Sequence, residues 1–263
     1  MTTSIKKLLL LAFSAAVTVT GPFMARVTAQ TPSTATAPAT NPDPFWPADG
    51  NFHAKGRTSS WTGFRQRNTE RRGLFAARRE FDKNSIVFVG DSITEGWKTL
   101  DSDFADLNTK VSNRGIGGDT TPNLLYRLQD DVLSLHPKAI VLTIGTNDLG
   151  EHTSPEDIAE NLKAILAKIR EKYPDIPIAW CLVMPRKGDD TYPERIKALN
   201  SLIREIAAKD PKITVVDTFT PLAQPDGSSK PEDFVPDRLH LNGAGYAVWR
   251  EALRPVLLSW HLN

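Results

Sequence analysis

The stretch Ser85-Ile-Val-Phe-Val-Gly-Asp-Ser-Ile-Thr-Glu-Gly-Trp97 decides how the rest of the chain is read. It is an unbroken apolar run that turns on a glycine and presents a serine at once. Near-continuous Val, Ile and Phe at this length suit a parallel strand covered on both faces. Further strand candidates lie at 110–114, 139–145, 178–184 and 214–217, the best of them near-continuous apolar runs. Helical patterns fall between them near 122–135, 155–173 and 191–208, and a last one lies at 243–258. Ser154-Pro155-Glu156-Asp157 opens the second of these, with serine at the N-cap and proline in the first turn. Alternating strands and helices predict a doubly wound α/β sheet. No internal repeat and no second domain is evident.

Ligand sites in such sheets lie beyond the carboxyl ends of the strands. Those ends read Gly90-Asp91-Ser92, Gly115-Ile116-Gly117-Gly118-Asp119, Gly145-Thr146-Asn147-Asp148 and Met184-Pro185-Arg186. The long segment after the fifth strand reaches Asp237-Arg238-Leu239-His240. A serine hydroxyl needs a base in hydrogen-bond reach, itself oriented by a third group. His240 is the candidate base for Ser92, and Asp237, three residues earlier, can face its other ring nitrogen. An oxyanion needs aimed donors. Candidates are the N–H groups of Ser92 and Gly118 and the side-chain amide of Asn147. Asp91, Trp97 and Arg186 are candidates for substrate contact. Asp91, Asp119 and Asp148 also suit turn-forming or supporting roles.

These blocks, in this order, resemble the GDSL/SGNH hydrolase family: "GDS" at Ser92, "NRGIGGDTT" around Gly118, "GTND" at Asn147 and "DRLH". "NRGIGGDTTPNLLYRL" and "LVMPR" are similar to the catalytic subunits of the intracellular platelet-activating-factor acetylhydrolase type. Isoleucine follows Ser92 where the family name has leucine, an apolar exchange. The resemblance implies a three-layer α/β/α sandwich on a five-stranded parallel sheet, in the flavodoxin-like order 2-1-3-4-5. It implies esterase or deacetylase activity, with Ser92 as nucleophile, His240 as base and Asp237 as orienter. Ser92, Gly118 and Asn147 would supply the oxyanion donors. It does not specify the substrate, because one fold hosts many.

Other chemistries fit poorly. The glycine turn at 115–118 lacks the lysine of a phosphate-binding loop, and Ser92 does not sit in G-x-S-x-G. Neither H-E-x-x-H nor a Cys/His cluster occurs, so no metal and no organic cofactor is predicted. The net charge of +1 does not suit a nucleic-acid binder.

The N-terminus points to export. Lys6 and Lys7 precede the apolar run from Leu8 to Val19, and Val27-Thr28-Ala29 suits signal cleavage. The run is too short for a stable membrane span. Cleavage after Ala29 would remove three cations and no anion, taking the net charge from +1 to −2. The expected organisation is a signal peptide at 1–29, a disordered linker at 30–43, an arm at 44–61 and the hydrolase domain at 62–263. A periplasmic or extracellular protein with the single cysteine Cys181 must rely on its core. Cys181 lies in an apolar run and reads as buried filler. The arginines at 65, 71, 72, 78 and 79 read as the solvated face of a helix over 62–82.

The function expected is that of an exported serine esterase on short, acetyl-type esters. No lid-sized apolar insertion suggests a long acyl tunnel. An acetylated carbohydrate is the expected target, given Trp46, Trp61 and Trp97 for stacking, with an acetylated lipid second. Two other readings stay open: a carbohydrate-binding or cell-surface module with a vestigial site, and an O-acyltransferase using the same residues.

Overall fold

Nine α-helices, three short 3-10 helices and five strands are found among residues 44–262, which a computed structural model describes. The signal peptide and linker expected at 1–43 lie outside the described residues. In chain order the elements are α1 (Phe64–Ala77), α2 (Arg79–Asp82), β1 (Ile86–Gly90), α3 (Ser92–Glu95), α4 (Leu100–Asp103), β2 (Val111–Gly115) and α5 (Thr121–Asp131). They continue with β3 (Ala139–Thr143), α6 (Thr146–Gly150), α7 (Pro155–Lys172), β4 (Ile178–Cys181), α8 (Tyr192–Ala207), β5 (Ile213–Val216) and α9 (Gly243–Ser259).

All sheet pairings are parallel, in the order β2-β1-β3-β4-β5. β1 therefore sits inside the sheet and reverses the strand order beside β3, which is where a ligand crevice forms. The period of two sends alternate side chains to opposite layers. Val87, Val89, Ile140, Leu142, Ile178 and Trp180 meet α5, α7 and α8. Phe88, Val141, Ala179 and Cys181 meet α9 and the α3–α4 segment. Two apolar layers thus flank one sheet, the three-layer arrangement expected.

Three details differ from the sequence reading. The 62–82 helix is two helices, broken at Arg78. Its arginine face is not simply solvated: Arg72 is 1% exposed and its Nε bonds Asp131 Oδ2 at 2.8 Å. Trp97 is 2% exposed and packs among Phe88, Phe104, Tyr246 and Trp249. Its indole N–H donates to Asp103 Oδ2 at 2.7 Å. It is a core residue and cannot stack on substrate. The one-turn α3 bends the chain back onto the sheet, which turns this side chain inward.

Cys181 is fully buried, and Trp249 Nε1 approaches its sulfur at 3.3 Å. Burial pushes its thiol up to about 11. A thiol held protonated this way is a poor nucleophile.

Candidate active site

The turn from β1 into α3 is built by buried polar contacts. Asp91 caps α3, its Oδ1 accepting the Ile93 N–H at 2.9 Å. Asp91 is 1% exposed, so it cannot contact substrate freely. Burial pushes its carboxyl up to about 7, against the Ile93 hydrogen bond. Gly115, the last residue of β2, lets α3 pack this closely. A Cβ there would stand 2.3 Å from the Glu95 backbone nitrogen.

Ser92 opens α3 and meets His240 from the other end of the domain. His240 Nε2 lies 2.8 Å from Ser92 Oγ, across 148 positions of sequence. His240 Nδ1 lies 2.6 Å from Asp237 Oδ2. The other oxygen, Asp237 Oδ1, accepts the N–H groups of Leu239 and His240, each at 2.9 Å. Arg238 between them adopts φ 57°, which folds the D-x-x-H segment into a tight turn. Burial works against ionising Asp237, but the hydrogen bonds from His240 and the backbone outweigh it. The carboxyl is held below its ordinary value. An ionised carboxylate at Nδ1 keeps the proton there and leaves Nε2 free to accept one from Ser92.

The loop after β2 brings Gly118 to the same place. Gly118 has φ 80°, and a Cβ there would lie 3.0 Å from Phe64 Cδ2. Its N–H and that of Ser92 have no hydrogen-bond partner among the described residues. Asn147, in the first turn of α6, donates one amide hydrogen to the Asp119 carbonyl at 2.9 Å. That tie joins α6 to the glycine loop and leaves a second amide hydrogen. Asp148 is fully buried and accepts the N–H and hydroxyl of Thr121, which fixes the start of α5. Burial pushes its carboxyl up to about 7.

Arg186 is half-buried on the rim. Its Nη1 donates to the Thr146 carbonyl at 3.0 Å, and its guanidinium stacks on Tyr192 at 4.5 Å. These contacts support the start of α6.

The motifs did not reveal the parts that hold the glycine loop. Glu95 is 7% exposed, and its Oε2 accepts the Gly117 N–H at 2.6 Å. Arg67 of α1 pairs with Glu95 Oε1. Arg71 donates twice to the Gly115 carbonyl, at 3.1 and 3.0 Å. Arg127 donates to the carbonyls of both Gly90 and Arg114, tying β1 to β2 just below the turn. The period of arginines at 67 and 71 was the available signal, but a helical arginine stripe usually faces water.

The pattern of the GDSL-like lipase/acylhydrolase family matches residues 88–248, which span all of these positions. The chain belongs to that family. The alpha1 subunit of platelet-activating factor acetylhydrolase IB from Homo sapiens is 32% identical over 193 residues, covering 70% of this chain and 80% of that one. The alpha2 subunit from Homo sapiens is 34% identical over 183 residues, covering 66% and 76%. Among solved structures, a lipase/acylhydrolase from Enterococcus faecalis shares 26% identity with a TM-score of 0.57, over 67% of this chain and 96% of that one. As a GDSL-family acylhydrolase the chain is placed among hydrolases of small esters. No helix among the described residues is long and apolar enough to cross a membrane.

Proposed function

We propose that the protein is a serine esterase that removes short acyl groups, acetyl above all, from an alcohol. The observation that carries this reading is the 2.8 Å contact between His240 Nε2 and Ser92 Oγ, with Asp237 2.6 Å from the other ring nitrogen. Ser92 Oγ attacks the ester carbonyl while His240 Nε2 takes its proton. The oxyanion that forms is met by the N–H groups of Ser92 and Gly118 and the Asn147 amide. His240 then protonates the alcohol oxygen, the C–O bond breaks and an acyl-serine remains. Water attacks the acyl-serine, with His240 again the base, and releases the carboxylic acid and free Ser92. Asp237 stays ionised and stabilises the imidazolium.

The preference for a short acyl group is supported by the open setting, with the His240 and Asp237 side chains 39% and 49% exposed. Relatives named acetylhydrolases support it too. Export, read from residues 1–29, is part of the proposal and places the substrate outside the cytoplasm.

The test is hydrolysis of p-nitrophenyl esters by the protein from Gln30 onward, beside Ser92→Ala and His240→Ala. Turnover falling from acetate to octanoate, and lost in both variants, is the expected result. A maximum at octanoate would overturn the short-acyl preference. Undiminished activity in Ser92→Ala would overturn the mechanism.

A further inference from the structure

We propose that the arm at 44–61 forms a carbohydrate-binding recess beside the site, with Trp61, next to the lining residue Ser60, as a stacking platform at its edge. The inference rests on the reading of Ser92 as nucleophile and assigns the alcohol part of the ester to a sugar chain.

The arm is bonded into the domain. The backbone N–H and carbonyl of Lys55 both bond the Asn161 side chain of α7, at 3.0 and 2.8 Å. The Ser60 N–H and hydroxyl both donate to Glu151 Oε1, at 2.6 and 2.8 Å. Phe52 meets Tyr126 of α5 edge-on at 5.3 Å. These contacts leave an open recess of about 460 Å³. That volume lies in the ordinary range for ligand sites, roughly 300–1,000 Å³.

The recess reaches two of the three elements that carry candidate oxyanion donors, the Gly118 loop and α6. Ser59 lines it, and a Cβ on Gly118 would lie 3.2 Å from Ser59 Oγ. Glu151 lines it too, and follows the α6 turn that holds Asn147, with its N–H bonded to the Asn147 carbonyl at 2.8 Å. Trp61 stands at the junction. A Cβ on Gly118 would lie 3.4 Å from its ring, and one on Gly63 would lie 2.7 Å from it. Two glycines therefore seat the indole, yet 53% of the residue remains exposed. A large aromatic held in place but left uncovered is a contact surface.

The lining chemistry selects among ligands. Asn51, Arg57, Thr58, Ser59 and Glu151 offer donors and acceptors, and Phe52 offers flat apolar area. Trp61 is outside the lining itself, but it follows the lining residue Ser60 directly and adds an exposed ring beside the recess. A sugar ring carries the matching pair, a C–H face and a rim of hydroxyls. An acyl chain would need a continuous apolar lining, which this recess lacks.

The test has two arms. In the first, Ser92→Ala protein is titrated with deacetylated oligosaccharides of neutral, uronate-containing and amino-sugar backbones, followed by tryptophan fluorescence. Saturable quenching by at least one, lost in the Ser92→Ala/Trp61→Ala double variant, is expected. In the second, the same backbones bearing O-acetyl groups are compared with p-nitrophenyl acetate. Trp61→Ala should lower kcat/KM on the best glycan about tenfold, the worth of one aromatic contact. It should change p-nitrophenyl acetate less than about twofold.

Equal losses on both esters would overturn the proposal, because the indole would then only prop the Gly118 loop. Absence of quenching by every glycan would overturn it as well. Hydrolysis of p-nitrophenyl acetate without any glycan effect would leave the esterase reading intact and remove this one. Trp61-dependent glycan binding by a chain that hydrolyses no ester would do the reverse.

Discussion

Glu95 holds Gly117 by a single hydrogen bond, the Gly117 N–H donating to Glu95 Oε2 at 2.6 Å. Gly117 precedes Gly118, and Glu95 lies three residues after Ser92. One carboxylate thus sets the spacing between the turn that carries Ser92 and the loop that carries Gly118. Arg67, from a helix that precedes the whole sheet, holds the other oxygen of Glu95. The expected effect of Glu95→Ala is a fall in kcat on p-nitrophenyl acetate of about tenfold with KM nearly unchanged, since geometry rather than binding is lost. Glu95→Gln keeps an acceptor oxygen and should recover part of the rate. Steady-state kinetics on both variants checks this, and a matching loss in KM alone would contradict it.

Removing the reacting groups gives a second expectation. Ser92→Ala and His240→Ala should each lower kcat by about 10⁴–10⁶, and the double variant should be hardly worse. Asp237→Asn keeps the turn but weakens the hold on the tautomer, so its loss should be smaller, about 10²–10⁴. Additive losses in the double variant would show that Ser92 and His240 do not act as a unit.

The donors can be tested separately. Asn147→Ala should lower kcat by about 10²–10³, as loss of one oxyanion donor does. Gly118→Ala forces a Cβ to 3.0 Å from Phe64 at a φ of 80°, so it should lower both activity and melting temperature. Gly118→Ala paired with Phe64→Leu should recover some stability if the clash is the cause. Thermal melts and rates on the same samples decide.

Asp91 predicts a pH dependence of stability. Its carboxyl is raised from 3.8 to about 7 by burial. Between those values the unfolded chain has lost the proton that the folded chain keeps, so this group's contribution to stability falls as pH rises through that window. Asp91→Asn retains a capping oxygen and carries no charge. Its melting temperature relative to the parent should therefore rise between pH 4 and pH 7 and level off above. Melts across about pH 4–9 test this, and a difference independent of pH would refute it.

Ionisation of Asp237 runs in the opposite direction. Its folded-state value is depressed, so its contribution is present above the ordinary carboxylate range and lost as pH falls through the folded value. Activity should not be limited by this carboxylate near neutral pH. Asp237→Asn should lower kcat/KM near neutral pH, which a pH–rate profile of both proteins checks.

Much of the architecture was written in local pattern. Strand candidates separated by helical periods set an alternating α/β order, and the central ones are near-continuous apolar runs because a strand buried on both faces favours apolar residues. The sheet order came from the family resemblance, and the pairings carry it out. Ser92, Gly118, Asn147, Asp237 and His240 were legible because each sits in a short motif just past a strand or before the last helix, where the backbone must expose it.

The fold alone decided which way side chains face and which distant groups meet. Trp61 and Trp97 are the same residue type, yet one is 53% and the other 2% exposed. The one-turn α3 returns Trp97 to the core, while two glycines seat Trp61 at the surface. Arg72 reads from the sequence as part of a solvated helix face, yet Arg72, Arg114 and Arg127 are each buried against a carboxylate that lies beyond its own turn of chain. Composition counts a charge but not its partner, and burial of an arginine is tolerable only when a carboxylate comes to it. The sequence determined the order of elements and the chemistry placed at their ends. Packing between segments remote in sequence decided the rest, because Glu95, Arg67 and the arm acquire their roles only from neighbours that the folded chain supplies.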